Sequence, residues 1–458
     1  MKKPIYITTS IAYVNAEPHI GFLYELLAAD VLKRYYTLGG EEVYLVTGTD
    51  EHGTKVAQAA AAAGQEPQAY VDVMADKFKG LKEFGVDYDY FIQTTNPDHQ
   101  RFAQDQWTKL VDAGALQKKP YRGLYCSGCE AFKTDAEIKD GKCLIHERDL
   151  EKIEEENWFL VLSDELEAGV KKFIEQAVQP ASRRQEVLNV LASGAYDEIS
   201  VSRSKEKLSW GVPVPNDETQ TMYVWVDALF NYISALTITG KDNLWPADIQ
   251  IVGKDILKFH AIIWPALLLA TGYDLPQKLL VHGFINSDGK KMSKSLGNVI
   301  SPNQLKERYG AEATRYLLFR QLNFLDDSNF VWSEFDALYN GELANGVGNL
   351  TARLIGLARK AGSNPFTELK VADNDLGEFD FAEVLARANS LVSEADSTIT
   401  KHKIWEDPAA RITHLQAAGL LLLEAARLLE PFMPETAKEI RRQLAELDSR
   451  PLFPRLVS

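Results

Sequence analysis

The sequence has little cysteine and no long hydrophobic run. Its only cysteines are Cys126, Cys129 and Cys143, an odd number clustered in one stretch of 458 residues. This excludes a disulfide scaffold and favours a reducing compartment, so we expect a cytoplasmic protein. No apolar run approaches the ~20 residues of a membrane span, and no signal-peptide pattern opens the chain. We therefore expect no membrane partner.

Basic residues are also fewer than acidic ones, with 50 Lys and Arg against 65 Asp and Glu. The formal net charge is -15, which excludes a protein that binds nucleic acid through general positive charge. It leaves room for an RNA held on a local basic or aromatic patch. Hydrophobic residues make up 45% of the chain and charged residues 25%, so the sequence is typical of a globular protein. Its length predicts about three domains.

The N-terminal part of the chain predicts the first half of an α/β domain, over residues 1–116. Strand-like apolar segments cover residues 4–10 and 42–48. Between them, apolar residues recur every four positions over residues 23–36, as in a helix. Strand, helix, strand in this order is a parallel βαβ unit. We therefore expect a doubly wound, Rossmann-like parallel sheet.

The pattern breaks after this half. Short strand-like pieces surround the cysteines, and they predict an inserted domain over residues 117–222. Strand signals return at residues 222–226 and 249–252, each before a helix, and predict the second half of the sheet domain over residues 223–280. A lysine-containing domain over residues 281–338 follows.

The last part of the chain, residues 339–458, is rich in Ala, Leu, Glu and Arg. Apolar residues recur there at helical spacing over residues 340–362, 379–398, 408–430 and 435–446. The expected architecture is thus an α/β sheet domain with an insertion, followed by a C-terminal α-helical bundle.

A short motif separates the first strand from the first helix. Residues 18–22 (Pro-His-Ile-Gly-Phe) lie at the expected carboxyl edge of the parallel sheet, where doubly wound folds bind ligands. Open N–H groups at a helix N-terminus suit a phosphate, and His19 can donate to a phosphate oxygen. Gly21 allows a nucleotide to approach the backbone closely. A histidine packed at a strand end is the alternative for His19.

Three lysines lie within five residues further along the chain. Lys290, Lys291 and Lys294 are bounded by Gly289 and Gly297, which suggests a mobile loop. Such a loop can close on a triphosphate and stabilise the charge that develops as pyrophosphate leaves. A solvated, lysine-rich surface is the alternative.

Together, these two motifs resemble the paired H-I-G-H and K-M-S-K-S motifs of class I aminoacyl-tRNA synthetases. Residues 291–295 match the second motif completely, and residues 19–21 match the first. Phe22 stands where the family has a second histidine, so one donor to the ATP phosphates is missing or is supplied elsewhere. The resemblance implies catalytic roles for His19, Lys291 and Lys294.

Further segments resemble the methionyl-tRNA synthetases, in that family's order: residues 11–15 (IAYVN), 47–53 (TGTDEHG), 223–229 (YVWVDAL) with Asn231 and Tyr232, and 253–256 (GKDI) with Phe259, His260, Trp264 and Pro265. The resemblance implies a methionine pocket of Ile11, Tyr13, Asp50, Trp225, Ala228, Leu229, Tyr232, Ile256, Phe259 and His260. It also implies that the Tyr232 hydroxyl and the Ile11 N–H contact sulfur and that Asp50 holds the ammonium group. Apolar and aromatic walls suit a thioether, although ordinary core packing is the alternative for each aromatic residue.

The same resemblance implies the reaction. Methionine and the magnesium complex of ATP form methionyl-adenylate and pyrophosphate, and the methionyl group then passes to the 3′ end of tRNA(Met). The expected partners are therefore ATP, L-methionine and tRNA(Met). The implied ATP-binding residues are His19, Gly21, Gly253, Asp255, His282, Gly283, Ile285, Lys291 and Lys294.

The cysteines form a C-x2-C pair, Cys126 with Cys129, and a C-x2-H pair, Cys143 with His146. Three thiolates and one imidazole give a closed tetrahedral zinc site with no open position for substrate. The resemblance agrees, since the inserted domain of this family commonly carries a zinc knuckle. We expect one structural zinc ion, and three buried thiols are the alternative.

One predicted C-terminal helix carries Asn349 and Arg353 four residues apart, and Trp405 follows further along the chain. In the family, such an Asn/Arg pair reads the first anticodon base and the tryptophan stacks on it. This suits single-stranded RNA, whose splayed bases stack on aromatic rings and bond along their edges. A capped helix and a core-packing tryptophan are the alternative.

Two other functions stay open from the sequence alone. A cysteine-specific synthetase of the same class would place zinc at the substrate, whereas this Cys/His cluster has four protein ligands and lies in the insertion. Phe22 suggests a non-catalytic tRNA-binding paralogue, but the complete lysine motif and pocket argue against it. The chain ends where longer relatives continue into a dimer-forming tRNA-binding domain, so we expect a monomer.

Overall fold

The structure, a computed structural model, describes most of the chain: residues 3–128, 131–133, 137–145, 147–194, 196, 198–292, 297–367, 369, 380–406 and 408–456. Close contacts divide the chain into two compact units. The first unit comprises residues 1–17, 42–80 and 88–282, and the second comprises residues 18–41, 81–87 and 283–458.

Strands and helices alternate along most of the chain, and helices dominate its last quarter. The strands are β1 (Ile5–Thr9), β2 (Ala12–Tyr13), β3 (Val43–Asp50), β4 (Tyr90–Gln93), β5 (Leu116–Cys126), β6 (Ala131–Lys133), β7 (Ile138–Lys139), β8 (Lys142–Cys143), β9 (Glu151–Val161), β10 (Val178–Gln179), β11 (Glu198–Ser200), β12 (Ser202–Ser204), β13 (Gln220–Met222), β14 (Ile249–Gly253), β15 (Leu279–His282), β16 (Ile285–Ser287), β17 (Lys290–Lys291) and β18 (Ser328–Phe330). The helices are α1 (Ile20–Leu38), α2 (Thr54–Ala62), α3 (Pro67–Lys79), α4 (Pro97–Asp112), α5 (Asp164–Ala177), α6 (Ala181–Ala192), α7 (Val224–Leu229), α8 (Asn231–Ile238), α9 (Trp264–Thr271), α10 (Pro302–Tyr309), α11 (Ala311–Gln321), α12 (Trp332–Leu338), α13 (Asn349–Ala361), α14 (Phe381–Lys401), α15 (Pro408–Leu429) and α16 (Pro434–Glu446).

A parallel sheet organises the first unit, and its described residues form seven strands. The strand order is β10-β15-β14-β1-β3-β2, with β4 also paired to β3. All of these pairs are parallel. Buried residues of the sheet, such as Tyr6, Val46 and Ile92, pack into one apolar cluster. The expected α/β fold with a parallel sheet is confirmed.

The carboxyl ends of four neighbouring strands, β15, β14, β1 and β3, lie along one edge of this sheet. The chain passes from β1 to β3 on one side and from β14 to β15 on the other, so the strand order reverses beside β1. Ligands of open parallel sheets bind at such a reversal. Three predicted site residues end strands on this edge: Asp50, Gly253 and His282.

The predicted insertion, residues 117–222, contains a separate antiparallel sheet of β11-β9-β5-β6. The structure differs from the prediction at Val178–Gln179, which form strand β10 of the parallel sheet. Two residues are too few to show a periodic pattern. The strand expected over residues 222–226 is also wrong: β13 ends at Met222 and helix α7 begins at Val224. A short apolar run does not distinguish a buried strand from a buried helix.

Helices α13, α14, α15 and α16 pack against one another in the second unit. By length and composition, the segment Arg411–Leu429 of α15 could cross a membrane, with mean hydropathy 1.2 and half of its residues buried in the protein. Charged residues interrupt this segment at Arg411, Glu424 and Arg427, so it is not the continuous apolar run that the sequence lacks. The core helix of a soluble protein passes the same test, and Glu424 in this segment pairs with Arg387 of α14 at 3.0 Å.

Candidate active site

A cavity that opens to solvent lies at the carboxyl edge of the parallel sheet, and its empty space, open solvent included, is about 240 Å³. Its lining residues are Ser10, Ile11, Asp50, Trp225, Ala228, Leu229, Asn231, Tyr232, Ile256 and His260. The sequence predicted all of these for the methionine pocket except Ser10 and Asn231. The ends of three adjacent strands contribute, because Ser10 and Ile11 follow β1, Asp50 ends β3 and Ile256 follows β14.

Aromatic rings form one wall of the cavity. The rings of Trp225 and Phe259 stack with centroids 3.8 Å apart and planes 7° apart, and His260 meets Trp225 edge-on at 6.2 Å. Phe259 thus supports the wall without lining the cavity, and Tyr13 is partly buried against the same core. The stack holds the large apolar face of Trp225 in one orientation.

A buried histidine orients the Tyr232 hydroxyl. His260 Nδ1 lies 3.1 Å from the Ile256 carbonyl oxygen, and its Nε2 lies 2.7 Å from the Tyr232 hydroxyl. Because a carbonyl only accepts, Nδ1 carries the proton, and the Tyr232 O–H donates to Nε2. Burial lowers the pKa of His260 to about 4, against a smaller opposing effect of the Ile256 hydrogen bond. The imidazole is therefore neutral at pH 7.

Predicted ATP-binding residues lie together where β14 and β15 end. Gly253 pairs with His282 in the parallel register. A side chain at Gly253 would lie 2.7 Å from Asp255 Oδ1 and 3.5 Å from His282 Nε2. Glycine at this position therefore leaves room for the Asp255 and His282 side chains to lie against the end of β14.

His19 caps helix α1 with its own side chain. The residue is exposed, and its Nδ1 accepts a hydrogen bond from the Gly21 N–H at 3.0 Å. The Ile20 N–H donates to the Ile300 carbonyl, and the Phe22 N–H donates to the His19 carbonyl. We expected open N–H groups here, but those of the first turn donate within the protein. The first N–H groups of a helix lack intrahelical acceptors, and a capping side chain commonly supplies one.

The lysine motif begins on a β-hairpin. Strands β16 and β17 pair across a turn at Asp288 and Gly289, whose φ values are 49° and 74°. Positive φ at both positions is typical of the Asp-Gly turn of tight hairpins. Lys291 is exposed, and its ammonium lies 5.1 Å from the centre of the Phe284 ring. Lys294 lies outside the described residues.

Two other predicted ATP-binding residues lie at the start of this hairpin. Ile285 begins β16, and Gly283 lies two positions before it. The Gly283 N–H donates to the Phe324 carbonyl at 3.0 Å, and a side chain at Gly283 would collide with the main chain at Asp326. Close packing within the second unit therefore also explains this glycine. Ile285 is buried.

Two of the four predicted zinc ligands lie in the described residues. Cys126 ends β5 and Cys143 ends β8, and their exposures are 0% and 1%. The Glu147 N–H donates to the Cys143 carbonyl at 2.8 Å, and the φ of Glu147 is 52°, so the chain turns tightly after Cys143. Cys129 and His146 lie outside the described residues. Among the described residues, Cys126 and Cys143 included, no three His, Cys, Asp or Glu side chains are grouped as metal ligands.

The predicted anticodon residues lie in the second unit. Asn349 begins α13 and is exposed, and Arg353 follows one turn later on the same face. The Arg353 guanidinium lies 5.9 Å from the centre of the Trp405 ring and pairs with Asp396 at 2.6 Å. Trp405 is 46% exposed, more than a core-packing tryptophan shows. Its ring is therefore a surface on which a base can stack.

Two lining residues, Ser10 and Asn231, are absent from the predicted methionine pocket, although Asn231 lies in a segment that resembles the family. The Asn231 amide is buried and donates to the Ala228 carbonyl at 2.6 Å. A polar residue inside the apolar run of residues 228–236 was the signal for Asn231, because buried polar groups need partners. Ser10 directly precedes a predicted pocket residue, Ile11, and offered no signal beyond that position.

Residues 5–355 match the family model described as "tRNA synthetases class I (M)". The chain therefore belongs to this family of class I tRNA synthetases. The methionine–tRNA ligase of Thermotoga maritima is 38% identical, over 96% of this chain and 75% of its own length. That of Streptomyces coelicolor is 37% identical, over 96% of this chain and 89% of its own length.

A solved structure is similar along the whole chain. The methionyl-tRNA synthetase of Mycobacterium tuberculosis, in complex with methionyl-adenylate, has a TM-score of 0.85 and 32% sequence identity to this chain. The match covers 100% of this chain and 98% of the other. The family resemblance carried by the motifs is thereby confirmed.

Proposed function

We propose that this chain is a methionine–tRNA ligase. The methionine carboxylate attacks the α-phosphate of ATP, the bond to pyrophosphate breaks, and methionyl-adenylate forms. The terminal adenosine hydroxyl of tRNA(Met) then attacks the methionyl carbonyl and AMP leaves. The observation that carries the proposal is an aromatic-walled, mostly apolar cavity, with the Asp50 carboxylate in its lining, at the carboxyl edge of the parallel sheet.

The cavity suits the chemistry of methionine. Its side chain is flexible and ends in a polarisable thioether, which aromatic rings such as Trp225 attract. Ala228, Leu229 and Ile256 add apolar surface. Asp50 is 5% exposed and supplies the charge opposite to the substrate ammonium. Specificity would thus come from shape, with one charge fixing the orientation.

His260 prepares the Tyr232 hydroxyl for the substrate. The Tyr232 proton is committed to His260 Nε2, so the hydroxyl has one orientation before methionine binds. A contact between this oxygen and the sulfur would therefore need no reorganisation, which is the advantage of a preorganised polar group.

The ATP phosphates would be held by His19 and the lysine motif. Magnesium enters with ATP and neutralises part of the phosphate charge. Lys291 and Lys294 would stabilise the charge that develops on pyrophosphate as it leaves. No side chain acts as a nucleophile, so catalysis is positioning and charge stabilisation.

The second unit would bind the tRNA anticodon. The exposed ring of Trp405 offers a stacking surface, and Asn349 and Arg353 offer donors for a base edge. Asp396 accepts a hydrogen bond from the guanidinium of Arg353. Because a guanidinium has five N–H donors, further N–H groups of Arg353 could donate to a base. Recognition of the first anticodon base at this position would select tRNA(Met).

One zinc ion, held by Cys126, Cys129, Cys143 and His146, would stabilise the inserted domain. The burial of both described thiols fits a closed structural site better than a catalytic one, which keeps a position open. Such thiolates persist in a reducing compartment, and we further propose that the protein acts in the cytoplasm as a monomer.

Amino-acid-dependent exchange of labelled pyrophosphate into ATP tests the first step without tRNA. We expect exchange with methionine and not with cysteine. Trp225→Ala should raise the methionine KM roughly ten- to a hundredfold, since a buried aromatic face contributes about 1.5–3 kcal/mol. Trp332→Ala, a partly buried tryptophan in the second unit, is the matched control and should leave the methionine KM unchanged.

The outcomes separate the alternatives. Exchange with cysteine alone would identify a different class I synthetase. Absence of exchange with every amino acid, combined with tRNA binding, would identify a non-catalytic paralogue.

A further inference from the structure

Three buried titratable residues, His52, His99 and Asp227, form one hydrogen-bonded cluster beside the cavity. Asp227 Oδ2 lies 2.5 Å from His52 Nδ1, and Asp227 Oδ1 lies 2.9 Å from His99 Nε2. Their exposures are 2%, 0% and 0%. Burial raises the pKa of Asp227, but His52 and His99 outweigh this effect and bring the pKa to about 2. The cluster therefore contains a buried carboxylate that stays ionised at neutral pH.

The cluster joins two segments that line the cavity. Asp227 lies in α7, between the lining residues Trp225 and Ala228. His52 follows the lining residue Asp50 by two positions, just after β3. The bond between His52 and Asp227 thus fixes the aromatic wall relative to the carboxylate expected to hold the substrate ammonium.

His99 adds a third segment. It lies on α4, and its Nδ1 lies 2.7 Å from the Ser234 hydroxyl on α8. Helix α8 also carries the lining residue Tyr232, two positions before Ser234. His99 therefore links the Asp227 carboxylate by hydrogen bonds to helix α8, on which Tyr232 lies.

We propose that Asp227 is a positioning residue, which through His52 and His99 holds three lining segments at the spacing that methionine requires. The inference rests on the proposed function. Stability alone does not explain the cluster, because well-packed apolar residues usually stabilise a core as much as a buried ion pair does. Charge-assisted hydrogen bonds add fixed direction, and a pocket that selects its substrate by shape loses affinity when its lining groups are displaced.

The test is Asp227→Asn, measured by methionine-dependent pyrophosphate exchange beside a melting curve. We expect the methionine KM to rise about ten- to a hundredfold while kcat changes less than about threefold, because ground-state binding is lost. The matched control is Asp217→Asn. The pKa of Asp217 is also lowered to about 2, and it accepts from the Trp158 indole N–H at 2.9 Å, but Trp158 lies on β9, which contributes no residue to the cavity lining. Its methionine KM should equal that of wild type.

A second pair of variants keeps the inference testable if Asp227→Asn does not fold. His99→Gln retains an N–H donor near the position of Nε2, whereas His99→Leu removes it. We expect a raised methionine KM in the leucine variant and a nearly normal one in the glutamine variant. Equal KM values in both would overturn the inference.

Two results of the main experiment count against the inference in different ways. A folded Asp227→Asn protein that melts earlier but keeps the wild-type methionine KM would show that the cluster is structural only, and the proposed function would stand. A wild-type protein without methionine-dependent exchange would remove the proposed function, and the inference with it.

Discussion

The neutral state of His260 is a property of the cavity that can be measured directly. Burial lowers its pKa to about 4, whereas an unperturbed histidine titrates near ~6.5. A proton on Nε2 would also remove the acceptor to which the Tyr232 hydroxyl donates. We therefore predict that His260 stays neutral in the folded protein at every pH above about 5.

The lowered pKa fixes the sign of the effect on stability. The unfolded chain binds the second imidazole proton of His260 more tightly than the folded protein does. The contribution of neutral His260 to the free energy of unfolding is therefore fully present above about pH 6.5 and is lost as the pH falls towards 4. The difference between the two pKa values corresponds to about 3 kcal/mol in total, and about 2 kcal/mol of it is lost between pH 7 and pH 5.

Histidine-selective ¹³C NMR reads this state. His260→Gln identifies the resonance among the eight histidines. We expect the signal of an Nδ1–H tautomer, with no titration above about pH 5. Between pH 7 and pH 5, wild type should lose more stability than His260→Gln, because glutamine does not titrate. A midpoint near that of free histidine, or equal acid-induced losses in the two proteins, would refute the reasoning.

Three further predictions concern the proposed catalytic, zinc and RNA sites. Lys294→Ala should slow adenylate formation about ten- to a thousandfold, the range for one lost electrostatic donor; an unchanged single-turnover rate with weaker methionine binding would contradict this role. Metal analysis should find one zinc ion per chain, and Cys143→Ser should lose it; a variant that retains full zinc would exclude Cys143 as a ligand. Trp405→Ala should weaken tRNA aminoacylation by about 1–3 kcal/mol, the scale of a lost base stack, with tRNA-independent exchange unchanged; a parallel fall of both activities would show that the ring packs the fold.

Long elements could be predicted from the sequence, and short ones could not. Helix α1 shows the apolar period over many turns, and its predicted extent, residues 23–36, falls inside Ile20–Leu38. Strand β10 has two residues, and its place in the sheet depends on pairing with β15, a hundred positions further along the chain. Helix α7 has a valine-rich sequence that also suits a strand, and tertiary packing decides its conformation.

The same limit applies to the site. Motifs predicted most of the cavity lining, because each segment that resembles the family assigns several pocket residues together. The cluster at Asp227 was invisible in the sequence, since its hydrogen bonds join residues 175 and 128 positions apart. The capping of α1 by His19 was also missed, because spacing alone does not show which acceptor an N–H group will choose.

That capping bears on Phe22, where the chain departs from its family's pattern. In the structure, the Gly21 N–H donates to His19 Nδ1, and Phe22 is partly buried. If the His19 ring turns towards a phosphate, it releases the Gly21 N–H as a second donor at the same place. The lost cap costs about 1 kcal/mol, less than the charge-assisted hydrogen bonds that replace it contribute.

The Gly21 N–H would thus donate to the phosphate in place of the second histidine of the family motif, where this chain has Phe22. We therefore expect Phe22→His to form adenylate no faster than wild type and to melt earlier, by about 1–3 kcal/mol if the imidazole lacks a partner. Pre-steady-state adenylation and a melting curve on the same variant decide the matter. Faster adenylation with unchanged melting would show that a donor was missing at this position after all.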